Sequence, residues 1–301
     1  MTAIDDKLTL VAPVIKHRRI DMMPFWLLLP SMLLIGGIIL YPLIVGMSYS
    51  LGSGTLLKPG TFTGLKNFIT ISSSSEFWNA VRFSLIFAVV NVACSYALGL
   101  GAALLMNRDM PGRAILRIVL LLPWIVPAIV AVVAWRWMIT DQYAPLNRLL
   151  GLVGVQPIYF LSTEFWAQVS LFALKVWRSF PFVLVSLLAS LQAIDKSLYE
   201  AAAVDGANRW NMFVHITLPQ LRGISVVLCI LLTIWTINDF ETPYLLTAGG
   251  PSGATENFIV LAHRLTFVRD KLGQGAAVSV VAFILLMLLA IALLRVQEKD
   301  Q

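Results

Sequence analysis

Six long apolar stretches, separated by short polar loops, restrict this chain to one kind of environment. They fall at about 24–48, 79–106, 115–139, 164–193, 223–246 and 272–294. An α-helix needs about 20 residues to cross the ~30 Å hydrocarbon core of a bilayer, and each stretch is long enough. All are too long for the roughly 9–11-residue strands of a membrane barrel. Lipid offers no partner for free backbone groups, so each segment has to bond within itself. The expected fold is therefore an all-α polytopic membrane protein with six transmembrane helices. Composition agrees: 58% of residues are hydrophobic and 13% charged, against about 25% charged in soluble domains.

Charge sets the orientation. With the N-terminus in the cytoplasm, inner segments hold twelve Lys and Arg residues and outer loops six, which satisfies the positive-inside rule with both termini cytoplasmic. The net charge of +6 follows from this topology, and no clustered basic face for nucleic acid is expected. The first apolar run follows Lys16, His17, Arg18 and Arg19, as a signal peptide would. It is uncharged from 22 to 57 and ends without a small-residue cleavage pattern, so it reads as a retained span. Residues 1–23 and 297–301 read as cytoplasmic tails and 24–296 as the membrane domain. Cys94 and Cys229 sit in apolar runs without a CxxC spacing, and His17, His215 and His263 are far apart. No metal site is expected.

The most informative loop lies at about 195–220, on the inner side. Residues 200–204 (Glu-Ala-Ala-Ala-Val) favour a helix with a smooth, small-residue surface. Asp205-Gly206 then breaks it, since Gly tolerates a positive φ and Asp bonds the local backbone. A second short helix follows, with Trp210, Phe213 and Ile216 at three-residue spacing on one face. Pro219 suits the first turn of the next helix, where no backbone donor is required. This helix–bend–helix presents an apolar ridge beside Glu200, Asp205 and Arg209. Two readings stay open on these grounds: a helix offered to a groove on a partner, or an amphipathic helix resting on lipid. The acidic pair weighs against a negatively charged leaflet.

The run Glu200-Ala201-Ala202, Asp205-Gly206-Ala207, Phe213, Ile216 and Leu218-Pro219 resembles the EAA loop of binding-protein-dependent ABC importer permeases. Residues 62–68 (Phe-Thr-Gly-Leu-Lys-Asn-Phe) and 246–251 (Leu-Thr-Ala-Gly-Gly-Pro) resemble the outer-loop "GL-x-N" and "T-x-GGP" segments of sugar permeases, the latter typical of the MalF/UgpA-like partner of a permease pair. The resemblance implies a type I importer permease fold in a bacterial cytoplasmic membrane. It implies that the EAA loop, with Arg209 and Pro219, docks on a cytoplasmic ATPase dimer that carries the ATP and Mg. It also implies a second permease chain and an extracytoplasmic solute-binding protein.

Charges inside spans are costly, about 2.5–3.5 kcal/mol each on insertion scales, and so mark candidate functional positions. Lys175 and Arg178 lie one turn apart in the fourth span, and Asp239 and Glu241 follow Asn238 in the fifth. They either pair among themselves or line a pathway. Counting from the family's proline, Phe-Pro-aromatic and GGP landmarks, the resemblance assigns cargo-facing positions to Trp124, Ala128, Lys175, Ser179, Phe182, Trp235, Thr236 and Asp239. Aromatic faces suit sugar C–H surfaces, and Ser, Thr and Asp suit hydroxyls. Lys175 departs from the apolar residue expected there. With Arg178 it raises the reading of an anionic sugar derivative.

Other classes are set against this reading. No Walker-type Gly-rich loop or metalloprotease motif is present, and no GxSxG elbow, so catalysis in this chain is not expected. A secondary, ion-driven transporter is the main alternative. Such folds show inverted repeats and broken helices, and neither is expected from the sequence.

Overall fold

The computed structural model describes residues 22–58 and 60–298. The chain divides into two units after Val45. The first holds α1 (Met23–Ile35), a π-helical turn (Gly36–Leu40) and the start of α2 (Tyr41–Ser50). Together these form one apolar stretch, Phe25–Ser50, of 26 residues. The expected tails at 1–23 and 297–301 lie almost wholly outside the described residues.

The second unit is built around two long helices, α4 (Ser75–Met106) and α8 (Glu164–Ala193). Both begin with side-chain caps: the hydroxyl of Ser74 accepts from Phe77 N and that of Thr163 from Trp166 N. An acid in each first turn, Glu76 and Glu164, complements the helix dipole. Gly99 brings α4 against α8. A Cβ there would lie 2.6 Å from the Val183 side chain and 3.1 Å from Leu184 N, so only Gly permits this approach. Around the contact, Ala103, Met106, Val183, Leu187 and Leu221 form one buried cluster. Phe83, Phe87 and Phe172 stack in another, with centroids 5.5–6.0 Å apart.

The remaining long helices are α11 (Leu218–Ile237) and α14 (Leu272–Glu298). Polar clamps tie α4 to α11. Asn91 Nδ2 donates to Thr236 Oγ1 at 2.8 Å, and Tyr96 Oη meets Ser225 Oγ at 2.6 Å. Such bonds between membrane helices contribute about 0.6–2 kcal/mol each. Short outer elements complete the unit: α3 (Lys66–Ser72), α7 (Pro145–Leu152) and α13 (Phe258–His263), which runs into a π turn (Arg264–Val268). No β-strand occurs among the described residues, only an isolated bridge between Gly52 and Phe62.

Two expected spans are broken. The stretch at 115–139 is not one helix but α5 (Arg113–Ile125) and α6 (Ala128–Ile139), bent by 96°. Pro127 is the cause. It drives Val126 into extended backbone (ψ 129°) and itself holds ψ 137°, so the helix stops at Ile125. The stretch at 223–246 stops at Ile237 and resumes as α12 (Glu241–Thr247). The expectation of unbroken helices is therefore corrected. Pro181, by contrast, lies inside α8 without ending it.

Candidate functional site: a bent surface segment and an aromatic cluster

The cytoplasmic segment forms as α9 (Lys196–Val204), a bend, and α10 (Arg209–Met212). Asp195 caps α9 by accepting from Ser197 N, and these bonds hold its carboxyl below the usual carboxylate range. Asp205, Gly206 and Ala207 close α9 as a Schellman motif. Gly206 N donates to Ala203 O at 3.1 Å and Ala207 N to Ala202 O at 2.9 Å. Gly206 supplies the φ of +81° that the motif requires. Asn208 then caps α10 through Asn211 N. No residue of α9 is buried. Glu200, Ala201, Asp205 and Arg209 are exposed, and Ala202 and Ala207 are half-buried. Val204 and Trp210 are 88% and 69% exposed, an apolar surface at the bend.

The second helix differs from expectation. It is not a separate short element, because α10 continues through a π turn (Phe213–Thr217) into α11 as one helix, Arg209–Ile237. The π turn precedes Pro219, which lacks the N–H a regular turn would use and whose ring would press on the carbonyl four residues back. The turn widens the helix there, with Leu218 N reaching Phe213 O. The wider turn disturbs the three-residue stripe. Trp210 and Phe213 still pack, 5.7 Å between centroids, while Ile216 is half-buried and Pro219 exposed. A tether absent from the sequence reading is Tyr199 Oη against Thr217 Oγ1 at 3.0 Å, which fixes α9 to the base of the span.

Farther along the spans, three of the expected pathway residues converge. Phe182 of α8 packs on Trp124 of α5 (5.9 Å) and on Trp235 of α11 (5.0 Å). Trp124 is 54% and Trp235 46% exposed, so the cluster presents open faces. Trp124 and Ala128 flank the α5–α6 break, and Trp235, Asn238 and Asp239 flank the α11–α12 break. Ser179 is half-buried on α8 and Asn238 exposed. Thr236, expected beside them, is instead enclosed. It is fully buried and its hydroxyl is engaged by Asn91 and by Leu232 O.

The four charges divide. Lys175 Nζ donates to Asp239 Oδ2 at 2.7 Å, with both side chains buried. The same oxygen accepts from Thr242 Oγ1 at 2.6 Å, and Asp239 Oδ1 accepts from Thr242 N at 3.0 Å. Asp239 thus joins α8 to α11 and caps the restart at α12. Its backbone carbonyl also accepts from Asn257 Nδ2 at 2.5 Å. Sequence reasoning missed Thr242, although an Asp three residues before a Thr is a cap spacing. Among the described residues Arg178 reaches Thr242 Oγ1 alone, at 3.4 Å, and Glu241 is exposed.

A second ionic cluster, missed from the sequence, lies in the outer loops. Arg269 binds Glu76 through two bonds of 2.8 and 2.9 Å, and Arg264 Nη2 binds Glu256 at 2.5 Å. Glu256 is 3% exposed. Burial, with repulsion from Glu76, outweighs the arginines and pushes its carboxyl up to about 7. A folded-state value above the unfolded one means that the native state binds the extra proton. Stability from this group is therefore full at low pH and lost as pH rises from about 4.5 through about 7. Glu256→Gln is expected to flatten that part of the pH dependence of thermal unfolding.

Comparison with known proteins places this geometry in context. Residues 95–300 match the family described as the binding-protein-dependent transport system inner membrane component. The trehalose/maltose transport system permease protein MalF of Thermococcus litoralis is 38% identical over 242 residues, 80% of this chain and 82% of that protein. The sulfoquinovosyl glycerol transport system permease protein SmoG of Agrobacterium fabrum is 33% identical over 277 residues, 91% and 90% of the two chains. The crystal structure of a bacterial ABC transporter involved in the import of the acidic polysaccharide alginate shares the fold. Its TM-score is 0.81 at 21% identity, covering 93% of this chain and 96% of that one. With a family match over most of its length and relatives above 30% identity, this chain belongs to the multi-pass inner-membrane permease components of binding-protein-dependent ABC importers.

Proposed function

We propose that this chain, with a second permease, forms the translocation pathway for a sugar or sugar derivative. The observation that carries this is the Trp124–Phe182–Trp235 cluster, three aromatic rings brought from separate helices to a site flanked by two helix breaks. Discontinuous helices free backbone groups for a polar solute. Aromatic faces favour the C–H surface of a sugar ring. Relatives named for trehalose, maltose and sulfoquinovosyl glycerol transport support the cargo class.

The exposed α9–bend–α10 segment is the surface offered to a cytoplasmic ATPase dimer, where ATP and Mg are held. A solute-binding protein delivers cargo from outside. ATP binding draws the coupling segments together and opens the permease pair outward, and hydrolysis resets it. The chain itself carries out no catalysis in this scheme.

Phe182→Ala and Trp235→Ala are each expected to lower ATP-driven sugar uptake roughly tenfold or more. That equals about 1.4 kcal/mol, within reach of one aromatic contact. Uptake in proteoliposomes of the complete importer measures this, and unchanged rates in both variants would refute the pathway. Uptake driven by a proton or sodium gradient without ATP would favour the ion-driven class, whose broken helices this fold shares.

A further inference from the structure

We infer that Arg178 reads a negative charge on the cargo, so that the transported sugar derivative bears a sulfonate, phosphate or carboxylate. This rests on the pathway proposed above and narrows its cargo.

Arg178 is the fifteenth of the thirty residues of α8, at the middle of that span. A cation at that depth is costly unless an anion or dipoles answer it. Its neighbour Lys175 has such an answer. Asp239 gives one oxygen to Lys175 and Thr242 Oγ1 and the other to Thr242 N, so the carboxylate has little left for a second cation. Arg178 donates one long bond, 3.4 Å, to Thr242 Oγ1. Its Nε is buried and makes no hydrogen bond. Among the described residues no carboxylate forms an ion pair with it, Glu241 included.

Position links this uncompensated charge to the aromatic cluster. Arg178 and Phe182 are four apart on α8 and so share a face, and Phe182 is the ring that joins Trp124 to Trp235. A sugar ring seated on those faces would carry its substituent beside the guanidinium. The planar fork of Arg suits a sulfonate, phosphate or carboxylate through two parallel bonds. Of the two span-four cations suggested by the sequence, the one without an ion pair among the described residues therefore discriminates, and Lys175 holds the fold.

The test uses the purified complete importer complex in its resting state, without the binding protein, so that no other component selects the ligand. Binding of methyl glucoside, methyl glucuronide and methyl 6-deoxy-6-sulfoglucoside is followed by saturation-transfer NMR. The wild type is expected to bind the two anions at least roughly tenfold more tightly than the neutral glycoside, as a charge-assisted contact would give. Arg178→Gln should remove that preference, and Arg178→Lys should keep part of it. Phe182→Ala should weaken all three ligands alike. Equal wild-type binding of charged and neutral probes, no binding of either anion, or an equal loss of all three in Arg178→Gln would each overturn the inference. Loss of complex assembly in Arg178→Gln with rescue by Arg178→Lys would assign the charge to a carboxylate of the second permease and overturn it too. If Arg178 discriminates charge but Phe182→Ala has no effect, the aromatic pathway fails instead.

Discussion

Gly206→Pro is expected to reduce ATP-driven uptake to background while the protein still inserts and assembles in the membrane. Gly206 holds φ +81°, and Pro is locked near −65°. The ring also deletes the N–H that bonds Ala203 O, so the Schellman motif cannot close and α10 leaves α9 at another angle. No buried core depends on the bend, because no residue of α9 is buried, so insertion should survive. Gly206→Ala makes the contrast. A Cβ there meets nothing within 4 Å, leaving only the left-handed penalty of about 1–2 kcal/mol, and partial transport is expected. Reversing charge beside the bend, Glu200→Lys with Asp205→Lys, should also abolish uptake by altering the surface presented to the ATPase. Membrane abundance by immunoblot, read together with uptake, checks all three. Wild-type uptake in Gly206→Pro would remove the coupling role.

The second large effect concerns the buried ion pair. Asp239→Asn or Lys175→Met alone is expected to cost roughly 3–5 kcal/mol, because each leaves an uncompensated charge inside the membrane. The double variant should regain most of the loss. Met follows the shape of the Lys stem, and Asn keeps an oxygen that can accept from Thr242 N, so the cap on α12 persists. Thermal unfolding of the purified complex, arranged as a double-mutant cycle, gives the coupling directly. Additive single effects would show that Lys175 and Asp239 act independently.

The parts of this molecule visible in its sequence are those with local causes. Apolar length places four of the six spans but misses the breaks at Val126-Pro127 and after Ile237, and the Asp205-Gly206 pair marks the bend because a residue without Cβ sits comfortably at positive φ. Pro127 and Pro181 show where that ends. Both interrupt apolar runs, yet only Pro127 breaks its helix, because membrane helices can satisfy freed carbonyls by neighbouring groups that sequence does not display. Phe182, Trp124 and Trp235 were identifiable through family landmarks, but nothing local says that their rings touch. That Thr236 is enclosed is not visible in the sequence, because its partner, Asn91, lies 145 residues away. The Glu76–Arg269 pair spans 193 residues and depends wholly on tertiary folding. Of the four charges in spans four and five, pairing settled one couple and isolated Arg178. That distinction is a matter of distance, which composition and spacing cannot supply.

One consequence follows from the unbroken run Arg209–Ile237. Its 29 residues extend about 43 Å at 1.5 Å per residue, with Trp235 near the far end and the Gly206 bend at the base. The π turn at Phe213–Thr217, just ahead of Pro219, is where a push at the foot is taken up, and above it α11 runs regularly to Ile237. A tilt of α11 by a few degrees about that turn would become an ångström or more at Trp235, the ring that packs on Phe182.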